Sequence, residues 1–136
     1  MLIDACAIVA ILSDEPEAVR CSNALLRAEK RITTAIVVWE AAVALARPDK
    51  FAVPVEITQA LVMKFLEERS IELCELPPAP KTVALTLGAA GKYRTSSRKL
   101  NLADCFHYAA AKYYGVPVLS TDDEFRFTDL DVVDNH

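Results

Sequence analysis

The sequence predicts an α/β fold in which helices cover both faces of a short parallel sheet. Two observations point there. Short apolar or β-branched runs alternate with helical stretches along the whole chain, and connections of helix length between strands imply parallel crossovers. A third sets the scale: 136 residues, 53% of them hydrophobic, suit one domain spanning 1–136, able to bury roughly two-thirds of its unfolded surface.

In chain order, Met1 to Ile3 reads as a buried opening strand that Asp4 ends. ACAIVAIL then has the composition of a buried helix, broken near Ser13 to Pro16. Ser13 or Asp14 is placed to cap a second helix reaching about Ala28. Arg31 to Thr34 offers a second strand, and Thr33 and Thr34 are N-cap candidates for AIVVWEAAVALA, Ala35 to Ala46. Eleven of those twelve residues are apolar, so this helix is expected to be enclosed on most sides. Arg47-Pro48 stops it, Pro54 to Arg69 reads as an amphipathic packing helix, and Ile71 to Leu76 mixes acidic with apolar residues as an edge strand does. The prolines at 77, 78 and 80 lead into a helix from about Lys81 to Tyr93, followed by the polar TSSRK.

The organising stretch is LNLADCFHYAAAKYYGVPVLSTDDEF, from Leu100 to Phe125. It predicts a helix of about fourteen residues, opened by Asn101 as N-cap, closed by Gly115, and running at once into a strand, Val116 to Ser120. There is room for a last short strand around Val132 and Val133.

Composition removes several functional classes. Three glycines cannot build a Gly-rich phosphate loop. Cys6, Cys21, Cys74 and Cys105 are scattered without a CxxC pair, which suits core residues better than a zinc site. The N-terminus MLID has no basic region ahead of a long apolar core, and no run approaches a membrane span, so the reading is cytoplasmic. Net charge is −4, yet residues 77 to 103 hold five bases (Lys81, Lys92, Arg94, Arg98, Lys99) and no acid, leaving −4 − 5 = −9 on the other 109 residues. A basic strip beside an acidic cluster suits a carboxylate site that must approach a phosphate backbone, although a solvated helix face gives the same pattern.

Four carboxylates stand out by position: Asp4 after the first strand, Glu40 alone on an apolar helix, Asp104 in the first turn of the organising helix, and Asp122 after a strand. In an open parallel sheet the loops leaving the strands' carboxyl ends form the ligand crevice. Carboxylates gathered there repel one another unless cations sit among them. Oxygen ligands select Mg²⁺ or Mn²⁺, which can activate water and steady a phosphodiester. Each acid also has a local explanation. Asp4 can cap the following helix, Glu40 can pair with a base such as Arg47, Asp104 can answer the helix dipole, and Asp122 can form a turn. His107, one turn after Asp104, could face the site but also suits a surface or packing role, and Trp39, Tyr113 and Tyr114 suit core or interface.

MLIDACAIVAILSDEPEA, VVWEAAVALARP, the organising stretch and the late TDL together closely resemble PIN-domain proteins, specifically VapC-type toxins of toxin-antitoxin pairs. The resemblance spans essentially the whole chain. It implies a three-layer α/β/α domain and Mg²⁺- or Mn²⁺-dependent endoribonuclease activity, with tRNA or ribosomal RNA as the usual substrates. It maps the acidic residues onto Asp4, Glu40, Asp104 and Asp122, with Asp123 as an alternative or additional acid. It also implies a homodimer formed near the Glu40 segment and a cognate antitoxin that enters the site. Cys6 departs from the pattern, standing where a small hydroxyl residue is common, which weakens a supporting hydrogen bond. Arg94, Arg98 and Lys99 are candidate RNA phosphate contacts. Two other classes compete: aspartyl phosphoryl transfer, which typically needs a second aspartate at position 6, and a catalytically inactive binding module acting through its antitoxin.

Overall fold

The computed structural model describes residues 1–94 and 100–133. Four parallel strands, β1 (Leu2–Ile3), β2 (Ile32–Thr34), β3 (Glu72–Cys74) and β4 (Val118–Leu119), form one sheet in the order β3-β2-β1-β4. Helices α1 (Ala5–Leu12) and α2 (Ala18–Arg27) join β1 to β2, α3 (Ala35–Ala46) and α4 (Val55–Glu68) join β2 to β3, and α5 (Ala79–Tyr93) and α6 (Leu102–Tyr114) join β3 to β4. The first two crossovers step outward from β1 and the third returns to its other side. β1 and β4 therefore flank the point where the winding reverses, and a crevice opens there at the strands' carboxyl ends.

Side chains sort into two cores by the period-two rule of strands. Ile3 and Leu119 join α1 to α4 in one core, whereas Leu2, Ile32 and Val118 join α5 and α6 in the other. The sheet is thus covered on both faces. β3 is exposed at the edge, as Glu72 requires. The final segment contributes one parallel bridge, Val132 to Val118, rather than a full strand.

Local chemistry sets most element ends. Asn101 Oδ1 accepts from Asp104 N at 2.8 Å while Asp104 Oδ2 accepts from Asn101 N at 3.0 Å, a reciprocal capping box. At the other end Gly115 is left-handed (φ 65°), and Val116 N donates to Ala111 O at 3.1 Å. A Cβ on Gly115 meets nothing within 4 Å, so Gly115→Ala is expected to cost about 1 kcal/mol through backbone conformation alone. Urea unfolding checks this: the midpoint should fall while the slope stays unchanged.

Two expectations need correction. α2 is opened by Glu17 without a side-chain cap, and Ser13 instead closes α1, its Oγ donating to Val9 O at 2.5 Å. α3 is not enclosed on most sides: Val37, Ala41, Ala42 and Leu45 are buried, but Trp39 is 66% exposed and Val43 39%. α3 packs on α4 and α1 with one face, and its remaining apolar face joins Val55 and Met63 of α4 at the surface.

Candidate active site

The crevice at the β1/β4 end has a volume of about 350 Å³, and its acidic lining comprises Asp4, Glu15, Glu40, Asp104, Asp122 and Glu124. Arg47 and Lys50 are the cations among its lining residues. Asp4 follows β1 directly, and its N–H donates to Leu119 O of β4 at 3.0 Å, which puts it beside Ser120. Asp4 is 6% exposed, and both of its carboxylate oxygens accept hydrogen bonds. Oδ1 accepts from Ala5 N at 2.8 Å, while Oδ2 accepts from Cys6 Sγ and Ser120 Oγ, each at 3.1 Å. Cys6 thus occupies the supporting position with a weaker donor, and burial with the Asp4 charge pushes its thiol up to about 12. Asp4 is both helix cap and crevice residue.

α3 brings Glu40 in from one side and α6 brings Asp104 from the other. Glu40 is partnered by His107, whose Nε2 lies 2.5 Å from Glu40 Oε1 and 3.6 Å from Asp4 Oδ1. Arg47 pairs with Asp49 instead. The ligand atoms of Asp4, Glu40 and His107 all fall within 4.8 Å of one another. Octahedral coordination at about 2.1 Å keeps adjacent ligand atoms roughly 3 Å apart. A ring nitrogen 2.5 Å from Oε1 therefore acts on Glu40 rather than beside it on one ion. His107 is fully buried. Burial alone would pull its pKa down, but the Glu40 hydrogen bond and the charges of Asp4, Glu40 and Asp104 outweigh that and raise it.

His107, which the sequence weights towards a surface or packing role, is the hydrogen-bond partner of Glu40. The signal was present: a lone glutamate on an apolar helix needs a partner, and His107 sits on the Asp104 face of α6. Glu15 and Glu124, which also line the crevice, had no distinguishing sequence feature. Of the two adjacent aspartates, Asp122 lines the crevice, whereas Asp123 accepts from Arg126 Nε at 3.2 Å. Arg94 ends α5 next to Cys105, outside the crevice lining. Arg98 and Lys99 lie outside the described residues.

Two of the acids, Asp104 and Asp122, carry the mark of burial among like charges. Burial, with Asp4 and Glu124 adding repulsion, lifts Asp104 to about 6 against the pull of its Asn101 bond. Asp122 is raised by burial and by Glu124, Asp4 and Asp123. The donor chemistry therefore fits a hard divalent cation, which would relieve this repulsion.

A pH dependence follows. A carboxyl whose folded pKa is raised stabilises the fold most below its unfolded value, and this contribution fades as pH rises through about 6. Discounted for solvent screening of a half-buried group, the effect is about 1 kcal/mol. In EDTA, Asp104→Asn should therefore raise the melting temperature relative to the parent more at pH 7.5 than at pH 4. Differential scanning calorimetry at the two pH values measures it.

Among known proteins, the PIN domain family matches residues 1–130. Ribonuclease VapC30 of Mycobacterium tuberculosis is 31% identical over 137 residues, covering 98% of both chains. Ribonuclease VapC of Mycolicibacterium smegmatis is 33% identical over 134 residues, covering 98% of this chain and 99% of the relative. Among solved structures, M. tuberculosis VapC20, described as a sarcin-ricin loop cleaving toxin, superposes with a TM-score of 0.75 at 11% identity, covering 97% of each chain. VapBC2 of Rickettsia felis, bound to a promoter DNA fragment, gives 0.73 at 13% identity, covering 98% of this chain and 96% of that one. The structural likeness is one of fold, and the sequence likeness adds kinship over nearly the full length. The chain belongs to the PIN-domain family, among relatives of the VapC type.

Proposed function

We propose that the chain, acting as a single domain, is the endoribonuclease toxin of a toxin-antitoxin pair, hydrolysing phosphodiesters of tRNA or ribosomal RNA at the β1/β4 crevice. The observation that carries this reading is the convergence of Asp4, Glu40, Asp104 and Asp122 on one crevice from four separate segments, in a chain whose relatives are VapC ribonucleases. These four would hold Mg²⁺ or Mn²⁺. Such an ion, when bound, supplies water activation and charge compensation at the phosphate. The chain's own residues set the geometry. Ala5 N, Cys6 and Ser120 fix Asp4, His107 fixes Glu40, and Asn101 N fixes one oxygen of Asp104. Asp122, more open than these, completes the outer rim.

The antitoxin partner is read from the same kinship: structural neighbours include a toxin-antitoxin complex from Klebsiella pneumoniae. An acidic crevice suits occupation by a cationic segment of such a partner. The homodimer reading is supported by the exposed apolar face of α3 and α4, where Trp39, Val43, Val55 and Met63 line a groove of about 370 Å³. Trp39→Glu is expected to convert a dimeric mass to a monomeric one in size-exclusion chromatography with light scattering. It should shift monomer stability by less than about 0.5 kcal/mol, because the side chain is already mostly exposed. No helix among the described residues is long and apolar enough to cross a membrane.

The test is induced expression in a bacterial host. Growth should stop with the parent chain and continue with Glu40→Gln at equal protein level. Equal toxicity of the two would remove Glu40 from the reading.

A further inference from the structure

The crevice brings six carboxylates together, yet its proposed substrate is a polyanion, so its two cations need a role. Both come from the end of α3. Glu40, Ala44 and Arg47 occur at i, i+4 and i+7 and share one helix face; all three line the crevice. Arg47 lies roughly 10 Å along the axis from Glu40, and the turn after α3 folds back, with Lys50 N donating to Arg47 O at 3.0 Å. Arg47 is held by Asp49 through two bonds, Nε to Oδ1 and Nη2 to Oδ2, each 3.0 Å. Lys50 is less committed. Its single ion-pair partner among the described residues is Glu15, at 2.5 Å across the mouth, from the loop that follows α1.

Glu15 is itself placed by its N–H, which donates to Ala10 O at 2.9 Å, and by a backbone turn in which Asp14 has φ 53°. The Glu15–Lys50 pair thus spans the rim with the lysine held over the crevice rather than turned to solvent, its side chain only 23% exposed. Because the pair sits at the mouth, water can take up the Glu15 carboxylate once it is displaced, so a phosphate can replace it on the ammonium.

We propose that Lys50, with Arg47 beside it, takes a backbone phosphate flanking the scissile one, and that Glu15 holds the ammonium in place until RNA arrives. This rests on the ribonuclease reading above. It gives the crevice a polarity: the acids at the strand ends hold the scissile group, and the cations at the end of α3 hold the neighbouring phosphate. Lys50 is a substrate contact, whereas Glu15 acts only through it.

The experiment measures binding of a labelled single-stranded oligoribonucleotide in Mg²⁺ over a range of salt. Every protein compared carries Asp104→Asn to block cleavage, and the first comparison sets Lys50 against Lys50→Met. One phosphate contact on a single strand contributes about 0.7 to the slope of log K against log salt. Lys50→Met should lower the slope by about that amount and weaken binding roughly fivefold at moderate salt. Lys50→Arg should restore both, and Glu15→Gln should tighten binding by freeing the ammonium. Unchanged slope and affinity in Lys50→Met, or no effect of Glu15→Gln, would overturn the proposal. Cleavage of the same RNA by the parent chain is read separately. Binding that depends on Lys50 without cleavage by the parent would sink the nuclease reading and leave the phosphate contact standing.

Discussion

Replacing Asp4 by asparagine is expected to reduce divalent-ion affinity and RNA cleavage by at least about a hundredfold while leaving the fold intact. The fold survives because the cap needs only a side-chain oxygen accepting from Ala5 N, and asparagine caps as well as aspartate. The strand-end position and the Leu119 carbonyl contact are backbone features that the substitution does not touch. What disappears is the charge, together with the Oδ2 acceptor of Cys6 Sγ and Ser120 Oγ, whose thiol and hydroxyl can rotate to accept from the new amide. Changing an outer partner of a metal ligand already costs about 10- to 100-fold, so removing the charge of a ligand itself should cost no less. Isothermal titration with Mn²⁺ and a cleavage assay, run beside circular dichroism, separate the two effects. A variant that is folded and binds the ion normally would remove Asp4 from the site.

The second large effect is expected at His107. His107→Ala should lower Mn²⁺ affinity by about 10- to 100-fold, although the imidazole sits behind Glu40 and is closed to solvent. Without Nε2, Glu40 loses its one described hydrogen-bond partner and is free to leave the productive rotamer. The truncation also opens a cavity beside α6, costing about 2 kcal/mol, so stability alone is not the diagnostic readout. His107→Gln supplies a comparable donor near Glu40 and should recover part of the ion affinity. If the alanine variant matched the parent in affinity after correction for folded fraction, His107 would be a packing residue only.

The α6 segment shows why much of this was legible in the sequence. Its start, stop and following strand are dictated by Asn101, Asp104, Gly115 and Val118, all acting within a few residues, and local rules suffice for such signals. Asp4, Asp104 and Asp122 were legible for a related reason, since each sits at a strand end or a helix start, whereas Glu40 was legible as the one carboxylate on an apolar helix. What the sequence did not reveal depends on how separate elements meet. The Glu40–His107 contact exists because α3 and α6 pack across the top of the sheet, and the Glu15–Lys50 pair because two loops more than thirty residues apart share a rim. The open face of α3 was illegible for another reason: an apolar helix has the same composition whether its own domain covers it or a second chain does.

Metal-dependent cleavage of RNA is measured by incubating the purified chain, free of antitoxin, with total cellular RNA. Parallel reactions contain Mg²⁺, Mn²⁺ or EDTA, with Asp104→Asn as control, and the cleavage ends are mapped by sequencing. Discrete cuts at a small number of tRNA or ribosomal RNA sites, requiring the ion and vanishing in the control, are expected. Cuts that persist in EDTA or in the control, or RNA left whole under every condition, would mean that the crevice is not a metal-dependent endoribonuclease site.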